Sequence, residues 1–184
     1  LVLVVALFAV VALFLPAKRT VQFQTESNRP ISTVYDVLNG FNRFDEWNVL
    51  RSDPLLKSQV SDPATGVGAK LSYSSLTRST GSGKWELVES VPDKLVKFKI
   101  EDNTQGHDKT LSIYLGRTGP NNKNTKIAEV YEVDYGWNLL GRYAGLYVDR
   151  NIGDKMKSGG KRLNTFLATI PKLSYADREN PIGF

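Results

Sequence analysis

Residues 83–101 read GKWELVESVPDKLVKFKIE, and the class of fold follows from this stretch. Apolar and polar side chains alternate in both halves, and Pro92-Asp93 between them is typical of a turn. A period of two predicts two β-strands, 83–91 and 95–101, each with one buried and one solvated face. A link this short joins antiparallel neighbours, because a parallel crossover needs roughly a dozen residues or more. The stretch therefore predicts an antiparallel hairpin.

The same pattern continues on both sides of the hairpin. Further strands are predicted, in chain order, at 21–25, 69–76, 109–115 and 126–135. Ser32 can cap a short helix with Val34, Val37 and Leu38 on one face, and apolar residues at helical spacing follow from 139 to 170. This order predicts an α+β protein in which a long C-terminal helix covers one face of a curved antiparallel sheet. A cavity between sheet and helix would be a ligand pocket.

Composition excludes several classes of protein. Hydrophobic residues make up 41% of the 184 and charged residues 23%, which is close to globular averages and excludes a disordered or collagen-like chain. There is no cysteine, so disulfides, thiolate metal sites and a cysteine nucleophile are excluded. A single histidine, His107, argues against a zinc enzyme or a Ser-His-Asp hydrolase. We expect no metal and no cofactor.

Residues 1–16 form the most apolar segment. Leu1 to Leu15 contains no polar side chain, and Pro16 and Lys18-Arg19 follow it. A helix of this length covers about 23 Å, less than the roughly 30 Å of a bilayer core, so we expect a transmembrane anchor that is incomplete at its N-terminus. A cleaved signal peptide is the alternative, but Leu15-Pro16-Ala17 is a poor cleavage site. The basic pair alone leaves the orientation open.

The net charge and the apparent motifs exclude some partners. Lys and Arg exceed Asp and Glu by 24 to 19, a mild and scattered excess that favours an anionic membrane surface over nucleic acid. Residues 80–84 (TGSGK) lack the first glycine and the final Ser or Thr of a phosphate loop, and 66–68 (GVG) lack the third glycine of a dinucleotide fingerprint. His107 with Asp108 indicates a solvated turn.

One residue breaks the alternation of the last predicted strand. Glu129 has the same strand parity as Ile127, Tyr131 and Val133, which predicts a carboxylate that points into the cavity with a pKa raised by desolvation. A bare carboxylate there is costly, so we expect a partner, either a hydroxyl such as that of Tyr131 or a cation at the mouth. The alternative places Glu129 near the open mouth, paired with a surface lysine or arginine.

Several motifs resemble one family in the same order. They are FDEWN at 44–48, DP at 53–54, GVGA at 66–69, GSG at 81–83, ELVESVP at 86–92 and, in the final helix, LGR at 140–142, GL at 145–146, DR at 149–150 and IG at 152–153. The chain is thereby similar to the bacterial polyketide cyclase-like branch of the START/SRPBCC superfamily over about residues 21–170. The resemblance implies a helix-grip fold with a hydrophobic cavity. Met156, Gly160 and Glu129 depart from the usual aromatic or apolar residues.

The resemblance also implies an organisation and a location. We expect an anchor at 1–16, a START-like domain at 20–171 and an irregular tail at 172–184. Members with an anchor ending in Leu-Pro are similar to this chain and apparently exported, which favours a single-pass protein of the bacterial inner membrane with a periplasmic domain. The candidate pocket residues are Trp47, Tyr73, Trp85, Phe98, Glu129, Tyr131 and Met156.

Three functions fit these observations. The first is a membrane-anchored, non-catalytic binding module for a lipid or another hydrophobic small molecule. The second is an accessory subunit of a larger membrane complex. The third is a cyclase- or dehydratase-type enzyme, which ranks last because Glu129 is the one candidate acid and general acid–base catalysis usually needs two positioned groups.

Overall fold

The computed structural model describes residues 2–171, and the predicted tail at 172–184 lies outside the described residues. The helices are α1 (Val2–Phe14), α2 (Ile31–Leu38), α3 (Phe44–Trp47), α4 (Leu139–Ala144) and α5 (Val148–Thr169). The strands are β1 (Lys18–Ser27), β2 (Lys57–Val60), β3 (Lys70–Ser74), β4 (Ser82–Val91), β5 (Leu95–Asp102), β6 (His107–Thr118) and β7 (Asn124–Asp134).

The seven strands form one antiparallel sheet in the order β1-β7-β6-β5-β4-β3-β2. Neighbours in the sheet are also neighbours in sequence except for β1, which pairs with β7. The predicted strands are therefore all present. β2 was not predicted, because its four residues KSQV are all exposed and show no apolar alternation.

Two helix boundaries differ from the predicted ones. α2 begins at Ile31, directly after Pro30, and no side chain caps it, so Ser32 is not the cap. The predicted helix 139–170 is divided into two α-helices, which are joined by one turn of 3-10 helix at Gly145–Tyr147. The ring of Tyr135 lies so close to Gly141 and Gly145 that a Cβ at either position would come within 2.9 Å of it. α4 therefore packs against the end of β7 before α5 starts.

The inner face of the sheet packs against α2, α3 and α5. Fully buried side chains on this side include Leu38, Phe98, Ile113, Leu163 and Leu167. Burying such residues contributes roughly 1.5–3 kcal/mol each, which makes this layer the main source of stability. At Gly160, α5 lies directly on Phe23 of β1, since a Cβ at 160 would approach Cε1 of Phe23 to 2.6 Å.

α1 contacts the domain through α4. The buried Arg142 donates hydrogen bonds from Nη1 to the carbonyls of Ala12 and Leu13, at 3.3 and 3.2 Å. The Tyr143 hydroxyl donates to the Phe8 carbonyl at 2.7 Å, and the two rings stack at 4.3 Å between centroids. The apolar segment predicted as a transmembrane anchor forms this 13-residue helix. Within residues 2–171, no helix is long and apolar enough to cross a membrane.

Candidate ligand cavity

A cavity of about 450 Å³ lies between the inner face of the sheet and α5. Its deep wall comes from β3 to β7, its roof from Ile152, Met156 and Gly159 of α5, and one side from the chain around α3. The wall is mostly apolar, as in sites for small organic ligands. The helix-grip arrangement produces this space because α5 contacts β1 closely and leaves the middle strands uncovered.

Six of the seven predicted pocket residues line this cavity. They are Trp47, Tyr73, Trp85, Glu129, Tyr131 and Met156. Phe98 does not line it. Its side chain is fully buried in the core, with ring centroids 5.6 Å from those of both Phe41 and Trp85.

Glu129 points into the cavity, as its strand parity predicts. Its neighbours across the sheet are Phe23 of β1 and Ile113 of β6, both apolar. Burial raises the pKa of the carboxyl group to about 7. The residue is 6% exposed, and within residues 2–171 no hydrogen bond reaches the carboxylate. Among these described residues, neither the expected bond from Tyr131 nor one from a cation at the mouth is formed.

One other polar atom of a wall residue is also without a partner in the described chain. The indole Nε1 of Trp47 is buried and has no acceptor among residues 2–171. Burial raises the pKa of Tyr73 to about 12 and also raises that of Tyr131, and the charge of Asp102 adds to both shifts. An unpaired buried donor or acceptor costs roughly 1–3 kcal/mol. Nε1 of Trp47 has almost no accessible surface, so among these unpaired groups the Glu129 carboxylate is the one that a ligand in the cavity could pair with.

Asp102, another acidic residue of the wall, is fully paired with groups of the protein. Nζ of the fully buried Lys109 donates to Asp102, to the Thr104 carbonyl at 2.9 Å and to the Thr104 hydroxyl at 2.7 Å. Burial opposes the charge on Asp102, but the bonds from Lys109 and Thr104 outweigh it and lower the pKa of this carboxyl. Lys109 is therefore already paired and forms no salt bridge with Glu129.

A polar segment of the wall surrounds Asp53. Hydroxyls of Thr80, Ser75 and Thr77 bind its carboxylate, with 2.7 Å from the Ser75 hydroxyl, and these bonds lower the pKa of Asp53 to about 2. The motif Asp53-Pro54 was noted in the sequence, but its hydroxyl partners lie more than twenty residues away, so their role was not predicted. Within residues 2–171, no three acidic or histidine side chains are grouped to hold a metal ion.

Comparison with known proteins supports the class of fold. No family model matches the chain, and no curated protein matches it in sequence. Solved structures match over most of its length. Truncated norcoclaurine synthase from Thalictrum flavum superposes with a TM-score of 0.66 at 11% identity, covering 84% of this chain and 96% of that one.

A second structure of norcoclaurine synthase, in complex with dopamine and hydroxybenzaldehyde, superposes with a TM-score of 0.62 at 12% identity, covering 84% of this chain and 90% of that one. Protein CV1439 from Chromobacterium violaceum superposes with a TM-score of 0.59 at 14% identity, covering 82% of this chain and 99% of that one. These matches support a helix-grip fold, an antiparallel sheet packed against a long C-terminal helix. At such low identity the likeness establishes the fold alone.

Proposed function

We propose that this protein is a non-catalytic binding module that holds a hydrophobic small molecule or lipid between its sheet and α5. The observation that carries the proposal is the cavity of about 450 Å³, whose mostly apolar wall contains the unpaired Glu129 carboxylate. A wall with unsatisfied polar groups is unfavourable when empty and becomes favourable when a ligand pairs with them. The complex of norcoclaurine synthase with two small aromatic molecules supports such a use of the fold in another protein.

A fluorescent probe for apolar sites tests this proposal. Gly159 lines the cavity, and nothing lies within 4 Å of a Cβ built there, so Gly159→Phe fills the cavity with little strain. Ser158→Phe adds the same ring to the exposed side of α5 and serves as the control. We expect the wild type and Ser158→Phe to bind the probe and Gly159→Phe to lose at least about tenfold in affinity, which is about 1.4 kcal/mol. Equal binding by all three would contradict the proposal.

The proposal includes attachment to a membrane. α1 is apolar around its circumference and most of its side chains are exposed. Trp137, Leu140 and Tyr147, on and beside α4, are also exposed, and Trp and Tyr concentrate at membrane–water interfaces. We propose that α1 and this cluster hold the domain at the bilayer, on the periplasmic face of a bacterial inner membrane. This position would place the cavity beside a reservoir of apolar ligands.

Flotation with lipid vesicles tests the attachment. The full chain should float with the vesicles, and a chain without residues 1–16 should float less. Trp137→Ser with Leu140→Ser should weaken the residual binding of the shortened chain. Recovery of the full chain in the lipid-free fraction would contradict the attachment, and an alkaline phosphatase fusion that is inactive in bacteria would contradict the periplasmic orientation.

A second candidate function is an enzyme that transfers a proton. Glu129 favours it, because a carboxyl group with a pKa near 7 can act as acid or base at neutral pH. During incubation with the wild type, and not with Glu129→Gln, the bound compound should then be converted to a product that differs in chromatographic retention, or in mass where water is lost. An unchanged compound in both samples would leave the binding module as the function.

A further inference from the structure

Among the acidic side chains that line the cavity, Glu129 is the one that the described chain leaves unpaired. Asp102 is paired with Lys109 and Thr104, and Asp53 is bound by the hydroxyls of Ser75 and Thr77. Both have their pKa lowered, so both remain ionised and satisfied at neutral pH. An ionised Glu129 therefore adds one negative charge to a mostly apolar wall without a protein counter-charge in residues 2–171.

The elements packed around Glu129 do not supply that counter-charge. β1 and β6 place Phe23 and Ile113 beside it, and Tyr131 follows it on β7. From α5, Met156 and Gly159 complete the apolar surroundings, and Lys155 contributes to the wall with an exposed side chain. A flexible exposed lysine loses rotamer freedom when it is ordered, and its ammonium is well solvated where it is.

A bound cation would satisfy the carboxylate at this place. Hydrogen bonds between an ammonium and a carboxylate are about twice as strong as those between neutral groups, and they gain further strength in a site with little water. Trp85, Tyr131 and Tyr73 also line the cavity. Aromatic faces attract cations, most strongly where water is excluded.

We propose that the ligand of this cavity is a small hydrophobic amine, bound as its ammonium ion at Glu129 with its apolar body against Trp85 and Met156. The inference rests on the proposed function and narrows it from any hydrophobic molecule to a cationic one. A carboxylic acid of the same shape would place its negative charge beside that of Glu129, so it should bind much more weakly than the amine.

Three probes of equal shape test the inference by calorimetric titration: phenylbutylamine, phenylbutanol and phenylbutyrate. At about pH 8.5 the amine is protonated and Glu129 is ionised, and we expect the amine to bind at least about tenfold tighter than the alcohol. Amine affinity should fall by about tenfold between about pH 8.5 and about pH 5.5, because Glu129 becomes protonated. The affinity of the alcohol should change little.

Glu129→Gln keeps the shape and removes the charge. In this variant the amine should lose its advantage over the alcohol and its pH dependence, while the alcohol still binds. If amine and alcohol bind the wild type equally, the inference is wrong and the proposed binding function stands. Tighter binding of phenylbutyrate that is lost in Lys155→Gln would overturn the inference in favour of an anionic ligand. If none of the probes binds the wild type, both the inference and the proposed function fail.

Discussion

Phe23 of β1 lies directly against Gly160 of α5, so closely that a Cβ at position 160 would come 2.6 Å from the ring. This contact brings one edge of the sheet onto the helix while the middle strands stay apart from it. The cavity is the space that results. The residue before Gly160 has the opposite environment, since nothing lies within 4 Å of a Cβ at Gly159.

These two glycines give a matched pair of substitutions. Gly159→Ala should stabilise the protein by up to about 1 kcal/mol, the usual gain of alanine over glycine inside a helix. Gly160→Ala has the same gain but forces the Phe23 ring to move, and overpacking costs roughly 1–3 kcal/mol. Urea denaturation should therefore find Gly160→Ala less stable than Gly159→Ala by about that amount. Equal stabilities would show that α5 does not rest on Phe23.

Glu129 should make the stability of the unliganded protein depend on pH. Its pKa is raised from 4.5 to about 7 in the fold, so the folded state holds a proton that the unfolded chain has released between these values. The free energy of unfolding should therefore fall as the pH rises from 4.5 to about 7 and should level off above that pH. At about 1.4 kcal/mol per pH unit, the total fall is about 3 kcal/mol.

Glu129→Gln checks this pH dependence. The variant should lack the fall and should be more stable than the wild type at about pH 8, with the difference shrinking towards acid pH. Unfolding by urea at a series of pH values measures both curves. Parallel curves for the two proteins would mean that the carboxylate is solvated or paired.

The buried pair Lys109–Asp102 should contribute far more than an exposed pair nearby. Lys109→Met leaves Asp102 buried without its cation, which typically costs about 3–5 kcal/mol. Lys99 pairs with Glu101 at 3.1 Å with both side chains about half exposed, so Lys99→Met should cost at most about 1 kcal/mol. Adding Asp102→Leu to Lys109→Met should recover much of the loss. Similar losses for Lys109→Met and Lys99→Met would contradict this description.

Arg142 should hold α1 in place against the domain. Its Nη1 donates to carbonyls near the end of α1, and its Nε and Nη2 donate to the Gly136 carbonyl at 2.9 and 2.7 Å. The chain has no cysteine, so spin labels can be attached selectively to cysteines introduced at Leu3 and Leu140, two exposed positions. The distribution of distances between the labels should broaden in Arg142→Ala and stay narrow in Arg150→Ala, an exposed arginine of α5. No broadening would show that other contacts hold α1.

The sheet was largely predictable from sequence, and the detail of the cavity was not. Strands β4 and β5 alternate regularly and have strong turn residues between them, so their predicted bounds agree with the structure to within one residue. Glu129 was found because parity along one strand fixes which face a side chain occupies. Phe98 shares that face, but parity does not say which part of a face the core covers.

Contacts between distant segments were also beyond the sequence. Within residues 2–171 neither expected partner of Glu129, the Tyr131 hydroxyl or a cation at the mouth, binds its carboxylate, and the buried Lys109 is bound to Asp102 and Thr104 instead. Trp47 lies at the end of a one-turn helix, where packing against Phe44 at 5.3 Å between ring centroids orders it. Both outcomes depend on packing that local patterns do not encode.

Native mass spectrometry of the purified full chain in mild detergent tests the central claim most directly. The account predicts a wild-type protein that carries a discrete small molecule. The added mass should persist in Ser158→Phe and disappear in Gly159→Phe, whose ring fills the cavity. A wild-type chain that is repeatedly free of added mass, or an equal mass on the wild type and on Gly159→Phe, would contradict the claim that the space between sheet and helix is a ligand site.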